Sequence, residues 1–275
     1  MSLGIAFKVP EGIVLAADSR VTLFGQTSVR DQPLLIPAKF DHATKLLRIK
    51  TDAHQFVGAI TFGAGAIGQR QPRTANSFLP EFERVVGQER LSVDEFARRL
   101  GTFFVEKWNE GGMPENPSPN ESMFFFVGGY NTDEAYGHLY QLMVPGAPEP
   151  VEILPDTFGA LWGGQREITD RIIQGFDPKV PAVAQDLLGI APGDHRETLG
   201  AELKERLQLP IPWQFLPLQD CVNLAIFLVR ATITLQQFLV DVRGVGGAVD
   251  VAAITRTGGF DAIQVKEITG ERPRG

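Results

Sequence analysis

Gly12-Ile-Val-Leu-Ala-Ala-Asp-Ser-Arg-Val-Thr22 stands near the start of the sequence, behind one short apolar stretch, Leu3 to Lys8. Leu3–Lys8 and Ile13–Ala17 are dominated by aliphatic residues. Val9-Pro10-Glu11-Gly12, a turn composition, separates them. Together they predict a β-hairpin. The hairpin folds the first residues back toward Asp18, and a free terminal amine beside a carboxylate can serve as a catalytic base. With the turn centred on Pro10, residues whose numbers sum to 20 face each other, and Ser2 faces Asp18.

The chain of 275 residues suits one large domain, and 43% hydrophobic residues are enough for a full core. A net charge of −7 without a basic stripe points away from nucleic acid and from an anionic membrane surface. Cys221 is the single cysteine, which excludes an internal disulfide and a cysteine metal cluster and fits a reducing compartment. Its helical apolar context makes it a core residue. No basic-then-apolar leader is evident, and no apolar run approaches the roughly 20 residues of a membrane helix. The expectation is a cytoplasmic protein without cofactor or metal. His42, His54, His138 and His195 show no ligand spacing.

Beyond the hairpin, residues 22–44 carry Pro33 and Pro37 and read as a strand followed by a long surface loop. Lys45–Ile49 and Gln55–Phe62 read as a second strand pair. Ser92 and Glu95 form a capping box ahead of Phe96, Ala97, Leu100, Phe103 and Phe104, which recur at helical spacing. Met123–Tyr130 and Ala135–Val144 read as strands, with shorter ones near Val151–Leu154 and Thr157–Trp162. A helix starts at Glu167, with Asp170 and Asp177 read as solvated or capping residues. Leu218–Val240 is the strongest helix. Ala248–Thr255 and Phe260–Val265 close the chain as a last hairpin, and residues 271–275 read as a loose tail. Hairpins segregated from helices favour antiparallel sheets in an α+β domain spanning residues 1–270.

Four segments carry a resemblance: Gly12–Thr22; Thr44-Lys-Leu-Leu-Arg-Ile49 with the apolar strand after it; Phe126-Val-Gly-Gly-Tyr130; and Gly246-Gly-Ala-Val-Asp-Val-Ala-Ala-Ile-Thr255. In this order they resemble a proteasome-type subunit of the bacterial and archaeal proteasome-like N-terminal nucleophile hydrolases. The resemblance implies a four-layer αββα sandwich of two antiparallel sheets between helices. It implies a terminal nucleophile that attacks a peptide or amide carbonyl with its own amine as base, and a homo-oligomer of one ring or stacked rings. Against it, residues 178–217 form a longer helical and loop region than the family pattern.

Carried over residue by residue, Asp18 and Lys45 match the family aspartate and lysine. Gly63 or Gly65 would supply the oxyanion N–H, and Arg20 and Asp241 would support the site, Asp241 one residue out of register. Two family serines are missing: Gly163-Gly164-Gln165 and Val245 stand in their places. Ser2 is the nucleophile if Met1 is removed. A second alignment, through Gly4, sets Ser2 two positions inside the nucleophile position and leaves none. A catalytically inactive relative acting in assembly or binding therefore stands beside the hydrolase. A third reading is a dinucleotide-binding protein, because Gly63-Ala-Gly-Ala-Ile-Gly68 matches a Gly-rich phosphate fingerprint after an apolar strand.

Overall fold

The computed structural model describes residues 2–29, 32–119, 121–189, 195–240 and 243–270. Asp241 and the tail 271–275 lie outside them.

Strands β1 (Leu3–Val9) and β2 (Gly12–Asp18) pair from Val9–Gly12 to Gly4–Ala17. The turn is therefore the two residues Pro10-Glu11, and partner numbers sum to 21 rather than 20. This corrects the expected register. A one-residue slip would have turned each side chain of β1 to the other face. All seven residues of each strand are buried, because both faces are covered. That is why they read as continuous apolar runs instead of alternating ones.

The first antiparallel sheet has the order β10-β1-β2-β11-β12, with β10 Gly159–Gly164, β11 Val249–Thr255 and β12 Gly259–Gln264. The second runs β5-β6-β7-β8-β9: Leu46–Leu47, Val57–Gly63, Met123–Gly129, His138–Val144 and Ala147–Glu152. Ala6, Ile13, Leu15 and Ala17 of the first sheet share a core with Ile60, Phe62, Phe126 and Leu139 of the second. The other face of the first sheet (Ile5, Phe7, Val14, Val251) packs on Cys221, Ala225, Leu228 and Val229. These four belong to the long helix Leu218–Gln236, which is α6 in chain order. Helices α1 (Leu79–Val86) and α2 (Val93–Glu110) cover Val57, Ala59, Phe125, Val127 and Leu142 of the second sheet. Ser92 Oγ accepts the Glu95 N–H at 3.2 Å and caps α2 as expected. Glu11, in the first turn, accepts Leu218 N–H at 2.7 Å, so the hairpin tip caps α6 with a negative charge.

Three expectations need correction. Residues 22–44 are not a strand and loop but a two-stranded ribbon, β3 (Val21–Val29) against β4 (Gln32–Phe40). In a two-stranded ribbon each strand has a free edge, where Pro33 and Pro37 cost no ladder bond if their ring nitrogens face outward. Second, α6 has 19 residues and is apolar enough, by length and composition, to cross a membrane. It is docked instead along β2, β11 and β1, and its apolar stripe is spent on that core. Third, Asp170 is neither solvated nor capping. It is fully buried in α3 (Glu167–Ile173), where it accepts Trp162 Nε1 at 2.8 Å and Arg166 Nε at 2.8 Å. Residues 178–217 contain α4 (Val180–Leu188) and α5 (His195–Leu207).

His138, at the start of β8, is clasped by two carboxylates: Glu152 of β9 at 2.7 Å on Nδ1, and Glu134 on Nε2. Burial would lower its pKa, but the bonds to Glu134 and Glu152 outweigh it, and the net shift is upward. A raised folded-state pKa means stability that is fully present below the unfolded value of 6.5 and lost as pH rises through the folded value. We expect the urea midpoint of the wild type, relative to His138→Gln, to fall as pH rises across that window. A pH-independent difference would show that the clasp carries no proton linkage.

Candidate active site

Asp18 ends β2 with no exposed surface, and four donors converge on it. Its Oδ1 accepts Lys45 Nζ at 2.6 Å and Leu3 N–H at 3.0 Å. Its Oδ2 accepts Gly246 N–H at 3.0 Å and Arg20 N–H at 3.1 Å. Lys45 sits just before β5, and its carbonyl accepts Thr61 N–H of β6 at 3.0 Å. Burial lowers the Lys45 pKa, and the adjacent Asp18 carboxylate only partly opposes this.

Ser2 precedes β1 and is buried. Its Oγ accepts Gly63 N–H at 2.9 Å, and its carbonyl accepts Gln165 N–H at 2.9 Å. Gly63 has φ +88°, and a Cβ there would lie 2.3 Å from the Ser122 carbonyl oxygen, so only glycine can present this N–H. Gly164 is equally obligatory: with φ +89°, its Cβ would lie 1.8 Å from the Ser2 carbonyl oxygen. Ser2, Lys45, Val21 and Gly65 line a cavity of about 10 Å³, room for about one water.

Of the residues expected from the sequence, Asp18, Lys45, Ser2 and Gly63 are brought together. Ser2 reaches the group although it does not face Asp18 in the hairpin register: the partner of Asp18 is the backbone of Leu3, and the partner of Ser2 is Gly63 on the other sheet. Gly65 belongs to the cavity wall. Arg20 gives Asp18 only its backbone N–H. Its guanidinium donates to Asp41, at 2.5 Å through Nε and 2.8 Å through Nη2, and to the Arg243 carbonyl at 3.3 Å through Nη1. The Arg20–Asp41 pair ties the end of β2 to the segment after β4.

Two features escaped the sequence reading. One is the Gly246 N–H on Asp18. The other is the buried pair Asp250–Lys266, to which Ser19 Oγ also donates at 3.4 Å. Lys266 further lowers the Lys45 pKa, and Asp250 opposes that. The available signal was an aspartate inside the apolar run Val249–Ile254, which must be partnered if it is buried. The dinucleotide reading is overturned here. A pyrophosphate site needs a helix opening within the glycine motif. Ile67 bridges Arg73 instead, and helical structure starts only at Ala75, with α1 at Leu79.

With this geometry in place, solved structures supply a comparison. The helical assembly of the Anbu complex from Pseudomonas aeruginosa aligns with 96% of this chain and 87% of its own, at TM-score 0.55 and 16% identity. The chain has the fold of Anbu. Anbu (ancestral beta-subunit) from Yersinia bercovieri aligns with 95% of this chain and 86% of its own, at TM-score 0.52 and 14% identity. An Anbu (Gly-1) mutant from Hyphomicrobium sp. strain MC1 covers 99% and 89%, at TM-score 0.52 and 15% identity. No family model matches the sequence, and no curated protein matches it. The resemblance to a proteasome-type subunit is corrected accordingly: the structural neighbours are Anbu proteins, and at these identities the likeness is one of fold.

Proposed function

We propose that the chain is a peptidase or amidohydrolase of the N-terminal nucleophile type, built as a four-layer αββα sandwich, with Ser2 as nucleophile after removal of Met1. The observation that carries this reading is the meeting of Ser2 Oγ with the Gly63 N–H beside the buried Lys45–Asp18 pair. The freed α-amine has an ordinary pKa of about 7.7–8.0, and positive charge on Lys45 would lower it toward a neutral base. The amine takes the Ser2 Oγ proton as the oxygen bonds to the substrate carbonyl carbon. The Gly63 N–H lies beside the oxyanion that forms. The amine then returns the proton to the leaving nitrogen as the C–N bond breaks, and water hydrolyses the ester left on Ser2.

Intact mass is expected to show loss of Met1, and an electrophilic probe for terminal nucleophiles is expected to label the wild type but not Ser2→Ala. Retention of Met1, or equal labelling of Ser2→Ala, would sink this mechanism. A second reading, an inactive relative acting in assembly or binding, draws on Gly163-Gly164-Gln165 and Val245, which stand where the resemblance expects serines. Val245 has a buried side chain and gives its backbone N–H to Gln236 Oε1 at 2.9 Å. We also propose that the chain self-assembles, in keeping with the helical assembly of the Anbu complex.

A further inference from the structure

A cavity of about 640 Å³ opens between the two sheets beside Gly63. Phe62, Phe124, Phe126, Leu161 and Trp162 wall it, and Gly163, Gly164 and Gln165, whose N–H holds the Ser2 carbonyl, line it as well. Its volume falls in the range of small-molecule sites, whereas the cavity on the Lys45 side of Ser2 holds about one water. That small cavity shares Val21, Ala43 and Thr74 with an open one of about 580 Å³, but only the 640 Å³ cavity is walled by aromatic rings packed on one another.

The walls are aromatic and held in place. The Phe62 and Phe124 rings stack at 5.3 Å with 9° between planes, and Phe126 meets Phe62 at 4.6 Å. Trp162 is oriented by its 2.8 Å bond to the buried Asp170 carboxylate, which Arg166 braces. Of Met123–Gly129, only Phe124 is not fully buried, and it is left partly open to the cavity.

Gln141 is the polar residue that the second sheet contributes; Gln165, Arg166 and Glu167 line the cavity as well. Tyr140, Leu142 and Val144 of β8 enter the helix-side core, so alternation sends Leu139 and Gln141 toward the first sheet. Leu139 fills the inter-sheet core. Gln141 lines the cavity, and among the described residues its amide makes no hydrogen bond. A primary amide offers two donors and an acceptor, which suits another amide.

We propose that this cavity binds the aromatic side chain of a peptide ligand, with Gln141 hydrogen-bonded to the flanking amide. Bond cleavage at Ser2 rests on the hydrolase reading; binding in the cavity does not. The test uses full-length Ser2→Ala titrated with N-acetyl-phenylalaninamide and with N-acetyl-alaninamide, followed by tryptophan fluorescence and calorimetry. The phenyl amide is expected to bind about tenfold or more tightly than the alanyl amide, from ring burial and aromatic contact. It is expected to change a fluorescence signal that Trp162→Phe removes. Gln141→Leu is expected to weaken binding about fivefold at unchanged thermal midpoint. Equal affinity for the two amides, or full affinity in Gln141→Leu, would overturn the proposal. Failure of each reading is separately visible. Binding without Ser2 labelling in the wild type removes the hydrolase and leaves the site; labelling without binding does the reverse.

Discussion

Lys45→Met is expected to destabilise the fold by about 3–5 kcal/mol in urea unfolding and to abolish probe labelling. The first effect comes from burial. Asp18 has no exposed surface and Lys45 very little, so removing the cation leaves a carboxylate without its charge partner and out of contact with bulk water. Three backbone donors remain on Asp18, and they do not replace a unit charge. The double variant Asp18→Asn/Lys45→Met is expected to recover much of the loss, because Asn keeps an acceptor for Leu3 N–H without the charge. Labelling is expected to stay absent in it, since nothing then lowers the pKa of the Ser2 amine. A loss below about 1 kcal/mol in the single variant would fit an exposed pair rather than a buried one. Full labelling in the double variant would remove Lys45 from the chemistry.

Gly63→Ala is expected to slow any Ser2 chemistry by about 10²–10³, the usual effect of losing one oxyanion donor. The backbone at φ +88° and the Ser122 carbonyl 2.3 Å from a new Cβ force the strand end to move, which turns the N–H away from Ser2 Oγ. Gly87→Ala is the control. Gly87 has φ +74° with nothing within 4 Å of a new Cβ, so it carries backbone strain of about 1–2 kcal/mol without touching the site. If the two variants label alike at matched stability, the Gly63 N–H has no role in the reaction.

The parts of the site that could be read from the sequence are those written locally. Asp18 follows an apolar strand after a tight turn and stands out against its immediate neighbours, whereas Lys45 was singled out only by the resemblance of Thr44–Ile49 to the family segment. Asp250 is also local, an acid within an apolar strand, and its meaning was missed because its partner Lys266 lies beyond the following strand. The ribbon β3–β4 was missed because Pro33 and Pro37 look like breakers unless the strand is known to have a free edge. Gln141 carried no signal at all, since an isolated glutamine in a strand is ordinary until the neighbouring sheet shows which face it is on.

The sequence by itself determined the opening hairpin, the capped helix α2 and the apolar helix α6, because turn chemistry, capping and hydrophobic periodicity act over a few residues; the pairing of Asp18 with Lys45 was expected from the resemblance alone. Tertiary structure alone decided the hairpin register by a single residue and the meeting of Ser2 with Gly63, 61 positions away. It also decided that α6 is spent on a sheet and that an aromatic cavity opens beside Gly63. These depend on how two sheets stack, and stacking is set by the summed burial of many side chains distant in sequence, which no short window contains.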